Sequence, residues 1–182
     1  MSSGVDVVIL AEDERHRMLL HRHLRKRGYT HHKIRICPCA QPFETSCLLF
    51  VKQQYPNEVQ ALRDKAHRVT GALLVVVDAD DSTVEERLHE MDELLSAAGK
   101  GQRADNEHIA IIVARRNVET WMFYLAENTV DEEADYKPRC RSFDNGEFAT
   151  KFANFTWPRR ELPIDCPSSL RYACEAELPR LP

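Results

Sequence analysis

The sequence predicts an α/β protein: a mainly parallel four-stranded sheet with helices on both faces, followed by an irregular C-terminal extension. Two observations support this fold class. Short, unbroken apolar runs at residues 73–77 and 109–114 are typical of strands buried on both faces, as in a parallel sheet. Segments with apolar residues at helical spacing alternate with such runs along the chain, which favours helical crossovers between parallel strands.

The composition is that of a globular protein. The 182-residue chain has 43% hydrophobic and 30% charged residues, and its net charge of −4 argues against a general polyanion binder. We expect an α/β core over residues 1–130 and an extension over residues 131–182 that packs on it. No apolar run approaches the ~20 residues of a membrane helix. The first residues also lack the basic and apolar regions of a signal peptide. We therefore expect a cytoplasmic protein with no membrane partner.

The cysteines do not favour a structural zinc site. All six are expected to be reduced in the cytoplasm. Cys37 and Cys39 are separated by a single residue, whereas zinc sites usually space their paired cysteines more widely, and no matching second pair follows.

The first half of the chain predicts strands and helices in alternation. A strand at residues 5–10 leads into a helix at 13–27. The alternating stretch 33–37 indicates a strand nearer an edge of the sheet. Residues 43–69 favour a helix in two pieces with Pro56 starting the second, because proline is well tolerated in a first helical turn.

The second half continues the alternation around the two apolar strands. A capping box is expected between them, formed by Ser82 with Glu85 or by Thr83 with Glu86. Trp121 is expected in the core. Helices are predicted at residues 84–98, 118–127, from Gly146 onward, and 168–178.

Acidic residues follow two of the predicted strands. Glu12 follows the first strand, and Asp78 and Asp80 follow the central one. In extended backbone, residues two apart point to the same side. Two carboxylates at such a short distance repel each other unless a cation lies between them. Mg²⁺ prefers oxygen ligands of this kind. The alternative is a polar loop in which Asp81 or Ser82 caps the next helix.

These acids resemble the pattern of the Toprim superfamily, in which a Glu follows the first strand and an Asp-x-Asp follows the third. The resemblance covers residues 5–125 and places the motifs on Glu12 and on Asp78-Ala79-Asp80. It implies a Mg²⁺- or Mn²⁺-dependent nuclease or nicking enzyme acting on DNA or RNA. The chain departs from the family where Asp13, a candidate helix cap, stands in place of a common glycine.

A further stretch resembles small stand-alone Toprim-like proteins that are associated with phage defence. It comprises residues 115–121 together with residues 135–137 downstream. That resemblance implies an effector of a defence system. Because the chain contains no Walker loop, an ATPase would have to be a partner protein. The sequence leaves open whether the chain forms a homo-oligomer.

The resemblance also implies roles for individual residues. The metal ligands would be Glu12, Asp78, Asp80 and Glu119. Glu12 could instead act as a general base, and Arg115, Arg116 or Lys137 could neutralise charge in the transition state. Two alternatives stay open. Glu119 could simply stabilise the N-terminus of its helix, and the two arginines could pair with surface acids.

A basic segment lies near the first acid. We predict that it contacts nucleic-acid phosphates through Arg15, Arg22, Arg25 and Lys26. A solvated helix face is the alternative. The histidines of the same helix, His16, His21 and His23, do not have the spacing of a metal-binding pair, so we expect them to be solvated.

Two other functions remain compatible with these acids. The chain could be a Toprim-like binding module that contacts a partner protein or nucleic acid without cutting it. It could also be a receiver-like protein, because Glu12-Asp13 is an acid pair after the first strand. Receivers carry one Asp after the third strand, so the Asp78 and Asp80 pair counts against that alternative.

Overall fold

The computed structural model describes residues 6–37 and 47–182, and it confirms the α/β fold class. One sheet of four parallel strands has the order β2-β1-β3-β4. The strands are β1 Val7–Ala11, β2 Ile34–Cys37, β3 Ala72–Asp78 and β4 Ile109–Ala114. Because the strands are parallel, their C-terminal ends share one edge of the sheet, here called the carboxyl edge. Open α/β sheets bind their ligands at this edge.

Helices follow the strands as predicted, with small differences at their ends. The described α-helices are α1 Glu14–Lys26, α2 Cys47–Lys65, α3 Val84–Ala97, α4 Glu119–Leu125, α5 Asn145–Thr156 and α6 Ser168–Tyr172. A π-helical turn at Ala173–Glu177 and a 3₁₀ turn at Leu178–Arg180 follow α6, and another 3₁₀ turn at His31–Lys33 precedes β2. The predicted segments 5–10 and 43–69 begin at residues outside the described ranges. Cys39 also lies outside them.

Local sequence explains where two helices begin. The Asp13 carboxylate accepts a hydrogen bond of 2.9 Å from the backbone N–H of His16 and caps α1, as expected. Of the two candidate capping boxes before α3, Thr83 with Glu86 forms. The Thr83 hydroxyl accepts from the Glu86 N–H at 3.1 Å, and the Glu86 carboxylate accepts from the Thr83 N–H at 2.8 Å.

The prediction of a two-piece helix is wrong. Helix α2 is continuous from Cys47 to Lys65, and Pro56 lies inside it. An internal proline removes one helical hydrogen bond and crowds the preceding turn. Burial compensates for that cost, because Val51, Tyr55 and Val59 are all inaccessible on the face that packs against the sheet.

The sheet divides the core in two. Alternate residues of β3 point to opposite faces, and all seven are buried. Leu74 and Val76 pack with residues of α1 and α5, whereas Val75 and Val77 pack with residues of α2 and α3. Helices therefore cover both faces, as predicted.

The C-terminal extension is helical over much of its length and packs on the core. Phe148 and Phe152 belong to the same apolar cluster as the sheet residues beneath α1. Trp121 is fully buried, as expected, and stacks on Phe152 with ring centroids 6.0 Å apart. At the edge strand β4, the Glu177 carboxylate accepts a 2.7 Å hydrogen bond from the Ile111 N–H. The extension thereby covers a strand edge that would otherwise be open to pairing.

Candidate active site at the carboxyl edge of the sheet

The sheet order brings the first two acids together. Strands β1 and β3 are neighbours, and Ala11 is paired with Val76. The backbone N–H of Asp78 donates a hydrogen bond of 3.2 Å to the Glu12 carboxylate. Burial raises the pKa of Glu12, and the nearby Asp78 carboxylate raises it further. The two carboxylates therefore share one small region of the carboxyl edge.

Asp80 reaches this region by a turn instead of extended backbone, so the same-side argument from strand geometry is wrong. Its φ of +53° lies in the left-handed region, which Asp adopts more readily than most residues. The Asp80 N–H donates to the Arg116 carbonyl at 3.0 Å. No described residue donates a hydrogen bond to the Asp80 carboxylate, which is partly exposed. The charge of Asp80 nonetheless raises the pKa of Glu12, so Asp80 belongs to the same cluster.

His16 is buried at the centre of the cluster, and the expectation that it is solvated is wrong. Its Nε2 lies 2.9 Å from Asp78 Oδ1, and its Nδ1 lies 3.1 Å from Asp13 Oδ1. Burial alone would lower the pKa of His16, but Asp78 and Asp13 outweigh it and raise that pKa well above its ordinary value. A charged imidazole therefore lies between two carboxylates. The backbone N–H of Val118 also donates to Asp78 Oδ1, at 2.9 Å.

Glu119 and Arg15 form a second buried contact beside the first. Glu119 is 4% exposed, and its Oε1 accepts a hydrogen bond from the Arg15 guanidinium. Arg15 Nε also donates to Asn145 Oδ1 at 3.0 Å. Arg15 is thus held in an internal ion pair, and its contact with phosphate stays a prediction. Glu119 Oε2 is buried without a hydrogen-bond partner among the described residues, which leaves a carboxylate oxygen for a further contact.

Lys137 is close enough to four carboxyl groups for their charges to affect its pKa. Partial burial would lower its pKa, but the charges of the four acids more than offset this and raise it. In order of effect, these acids are Asp78, Glu119, Asp80 and Glu12. We call these four acids with Lys137, His16 and Arg15 the acid cluster. Counting Asp13, which also contacts His16, five carboxyl groups lie among three cationic side chains, so negative charge is left unbalanced.

The two arginines after β4 are engaged elsewhere. The Arg115 guanidinium pairs with Glu133 and donates to the carbonyls of Asp80 and Ser82, the latter at 2.7 Å. Arg116 pairs with Asp81. These contacts correspond to the alternative in which the arginines pair with surface acids. They also hold the turn that carries Asp80.

The other three predicted phosphate contacts lie in the C-terminal half of α1. Arg22, Arg25 and Lys26 are exposed. Arg25 donates to the Tyr29 carbonyl at 2.7 Å, and Lys26 pairs with Asn154. Helix α1 starts at the carboxyl edge and is about 20 Å long, because it has 13 residues, and these three side chains lie in its second half. Their contact with nucleic-acid phosphates stays a prediction.

The donor set suits a hard cation, although a complete protein ligand set is not formed. Within residues 6–37 and 47–182, no group of three or more His, Cys, Asp or Glu side chains is arranged to hold a metal ion. Asp78 Oδ1 already accepts two hydrogen bonds. Mg²⁺ is nevertheless commonly held by one or two carboxylates together with waters and substrate phosphates. Asp80 and Glu12 can supply such ligands.

Comparisons with known proteins yield no match to a family model, a curated protein or a solved structure. Of the helices in the described part of the chain, none is long and apolar enough to cross a bilayer. The chemistry of the acid cluster therefore has to be judged from its own residues.

Proposed function

We propose that this chain is a Mg²⁺- or Mn²⁺-dependent nuclease or nicking enzyme of the Toprim type. One observation carries the proposal: Glu12 and Asp78 meet at the carboxyl edge, where the Glu12 carboxylate accepts a hydrogen bond of 3.2 Å from the Asp78 N–H and the turn after β3 carries Asp80. The charges of these acids and of Glu119 also raise the pKa of Lys137. Such edges are where open α/β sheets bind their ligands. Oxygen donors beside a lysine match the needs of a divalent cation and a phosphodiester together.

The residues of the acid cluster would have different roles in catalysis. Asp80 and Glu12 would hold the cation together with waters and substrate phosphate, and the ion when bound activates a water and stabilises charge on the phosphate. His16 and the Val118 N–H fix the orientation of the Asp78 carboxylate. Lys137 carries a positive charge at this edge and neutralises charge that develops on the phosphate oxygens.

A binding module is the second candidate, and one observation favours it. Arg15 pairs with Glu119 and His16 with Asp78, so two of the four carboxyl groups are stabilised without an ion. Such a module would hold a partner protein or nucleic acid at the same edge without cutting it. A receiver-like function is disfavoured, because the described residues form a sheet of only four strands and receivers place a lysine after a fifth.

Cleavage of nucleic acid separates the two candidates. The purified protein is incubated with supercoiled plasmid and with RNA, each with Mg²⁺, Mn²⁺ or a chelator. We expect nicking or cutting that requires the metal. Asp80→Asn and Lys137→Ala should each lower the rate by about 100-fold or more. Asp105→Asn is the matched control, because Asp105 is fully exposed outside the cluster. Intact substrates under every metal condition would overturn the nuclease proposal.

The proposed biological setting is phage defence with a partner ATPase. It rests on the resemblance of residues 115–121 and 135–137 and on the lack of a Walker loop in the chain. Co-expression with a candidate ATPase should change the metal-dependent cleavage rate. Cleavage at the same rate with and without ATP and the ATPase would argue against that setting.

A further inference from the structure

A cavity of about 670 Å³ opens near the carboxyl edge, and none of the seven residues of the acid cluster lines it. We call it the edge cavity. Its walls come from the first turn of α3, from Arg115 after β4 and from α6 with the π-helical turn. Thr83, which lies on its rim, is separated from Asp80 by only the two residues of the turn between them. The volume is within the range of small-ligand pockets.

The inner surface of the edge cavity is largely apolar and includes an aromatic ring. Val84, Leu88 and Ala176 contribute aliphatic surface. Tyr172 lines the same cavity and is 41% exposed, although large aromatic side chains are usually more buried. An accessible aromatic ring in a partly apolar cavity is suited to a flat, uncharged ring that stacks on it.

The charges around the edge cavity disfavour a phosphate inside it. Four carboxylates line it with two guanidinium groups: Glu85, Glu132, Glu133 and Glu175, with Arg115 and Arg171. Both arginines are already paired, Arg115 with Glu133 and Arg171 with Glu175. The surplus of negative charge repels anions but admits neutral groups.

Most polar groups of the edge cavity are satisfied by one another. The Glu132 carboxylate accepts from the backbone N–H groups of Ser168 and Ser169, at 2.7 and 3.1 Å, and from both hydroxyls. Few polar groups in the edge cavity are left to form hydrogen bonds with a ligand. An occupant is therefore held by stacking and apolar contact, with little preference for its hydrogen-bonding pattern.

The edge cavity and the acid cluster share one structural element. Arg115 donates to the carbonyls of Asp80 and Ser82, at 3.2 and 2.7 Å, while its side chain lines the cavity. A ligand that fills both sites needs a phosphate at the acid cluster and an uncharged flat ring next to it. A nucleotide unit of a polynucleotide has these two parts.

We propose that the edge cavity receives an unpaired nucleobase of a single-stranded nucleic acid whose phosphate lies at the acid cluster. This inference rests on the proposed function and names its substrate class. A base within a duplex is stacked and paired, so it must be unstacked before it can enter such a cavity. Single strands, loops and ends are therefore bound in preference to continuous duplex, without a strong sequence preference.

Binding measurements test the inference directly. Short single-stranded and duplex oligonucleotides of the same mixed sequence are titrated with the protein by fluorescence anisotropy at fixed salt, because salt alone changes such affinities. Ca²⁺, which takes the same oxygen ligands, replaces Mg²⁺ so that binding is measured apart from cleavage. We expect the wild-type protein to bind the single strand at least about tenfold more tightly than the duplex.

Variants locate the effect in the edge cavity. Tyr172→Ala should weaken single-strand binding about tenfold, because it removes the stacking ring. Tyr172→Phe should retain binding, because the ring remains. Ala176→Phe fills the cavity from its wall without removing a contact and should weaken binding to a similar extent. Ile164→Ala is the control, because that side chain is fully exposed outside the cavity.

The outcomes separate this inference from the nuclease proposal. If the protein cuts nucleic acid but Tyr172→Ala and Ala176→Phe bind single strands as the wild type does, the base-binding cavity is wrong and the nuclease stands. If no substrate is cut but the single-strand preference disappears in both variants, the cavity stands and the nuclease is wrong. A preference for duplex in the wild type overturns the inference outright.

Discussion

Two buried histidines on α1 lie in regions that give them different charge states, one positive and one neutral. Neither His16 nor His23 has exposed surface. Burial lowers the pKa of His23 to about 3, with a further contribution from Arg27. Burial acts on His16 in the same direction, but Asp78 and Asp13 outweigh it and raise that pKa well above normal. Neighbouring carboxylates, and not burial itself, decide which of the two histidines is charged.

The hydrogen bonds of His23 agree with a neutral ring. The Thr156 hydroxyl donates its proton to the Phe152 carbonyl at 2.8 Å, so its oxygen is left to accept from His23 Nδ1 at 2.7 Å. His23 Nε2 is buried without a partner among the described residues. The acid-cluster end of α1 thus carries an imidazole that compensates charge. In the region beneath α5, the imidazole of His23 is instead neutral.

The largest expected effect comes from removing the charged histidine. His16→Leu leaves the Asp78 carboxylate buried with only the Val118 N–H to stabilise it. We expect a loss of about 4 kcal/mol in the free energy of unfolding at neutral pH, measured by urea denaturation. His21→Leu is the control on the same helix, because His21 is only partly buried, and it should cost less than about 1 kcal/mol. Equal effects of the two changes would contradict the buried ion pair.

The neutral histidine, His23, should determine how the free energy of unfolding changes as the pH falls below neutral. The pKa of His23 is about 3 in the folded chain and about 6.5 when unfolded. Its contribution is therefore fully present above about pH 6.5 and is lost as the pH falls toward 3. His23→Leu removes this titration, so the variant should exceed the wild type by about 3 kcal/mol at pH 4 relative to their difference at pH 7. Parallel pH profiles, measured without divalent metal, would show that His23 does not titrate in this way.

A smaller effect isolates the hydrogen bond beneath α5. Thr156→Val removes the oxygen that accepts from His23 and leaves a buried N–H without a partner, which should cost about 2 kcal/mol. The matched control is Thr150→Val. Thr150 makes the same hydroxyl contact to a carbonyl one turn earlier, at 2.8 Å, but it is exposed. A cost for Thr150→Val as large as that for Thr156→Val would assign the effect to helix geometry instead.

The sequence predicted the elements of the sheet because strands and helix caps depend on short-range patterns. The run at 109–114 corresponds to β4 residue for residue, and the Thr83 capping box lies where its spacing placed it. Pairings across the chain were beyond such patterns. Arg15 and Glu119 are 104 positions apart, so nothing local links them. The edge cavity is also assembled from distant segments.

The buried histidines did leave a signal in the sequence. His16 and His23 fall at helical spacing with Leu20 and Leu24, which places all four on the inward stripe of α1. A polar residue on such a stripe must find a partner inside the protein. The position of His16 in the first turn after Glu12 indicated which partner region it would meet. The spacing between the histidines indicates only whether two of them can bind one metal ion. It does not indicate whether a histidine is buried.

The smallest stability effect belongs to Asp80 and bears on the function of the acid cluster. Asn adopts the left-handed backbone at this position about as readily as Asp, so Asp80→Asn should keep the turn at its φ of +53°. The change also removes one of the charges that raise the pKa of Glu12. Without metal, the variant should therefore be as stable as the wild type or more stable by less than about 1 kcal/mol.

Metal should make the stabilities of the wild type and Asp80→Asn differ, although the two are similar without metal. An ion that binds only the folded state raises its stability as concentration exceeds the dissociation constant. Thermal melts of the wild type should shift upward with millimolar Mg²⁺ or Mn²⁺, and those of Asp80→Asn should shift much less because a ligand is lost. Asp105→Asn should respond as the wild type does. If Asp80 only supports a turn, all three proteins melt alike with and without metal, and the acid cluster is then held together by His16, Arg15 and Lys137 alone.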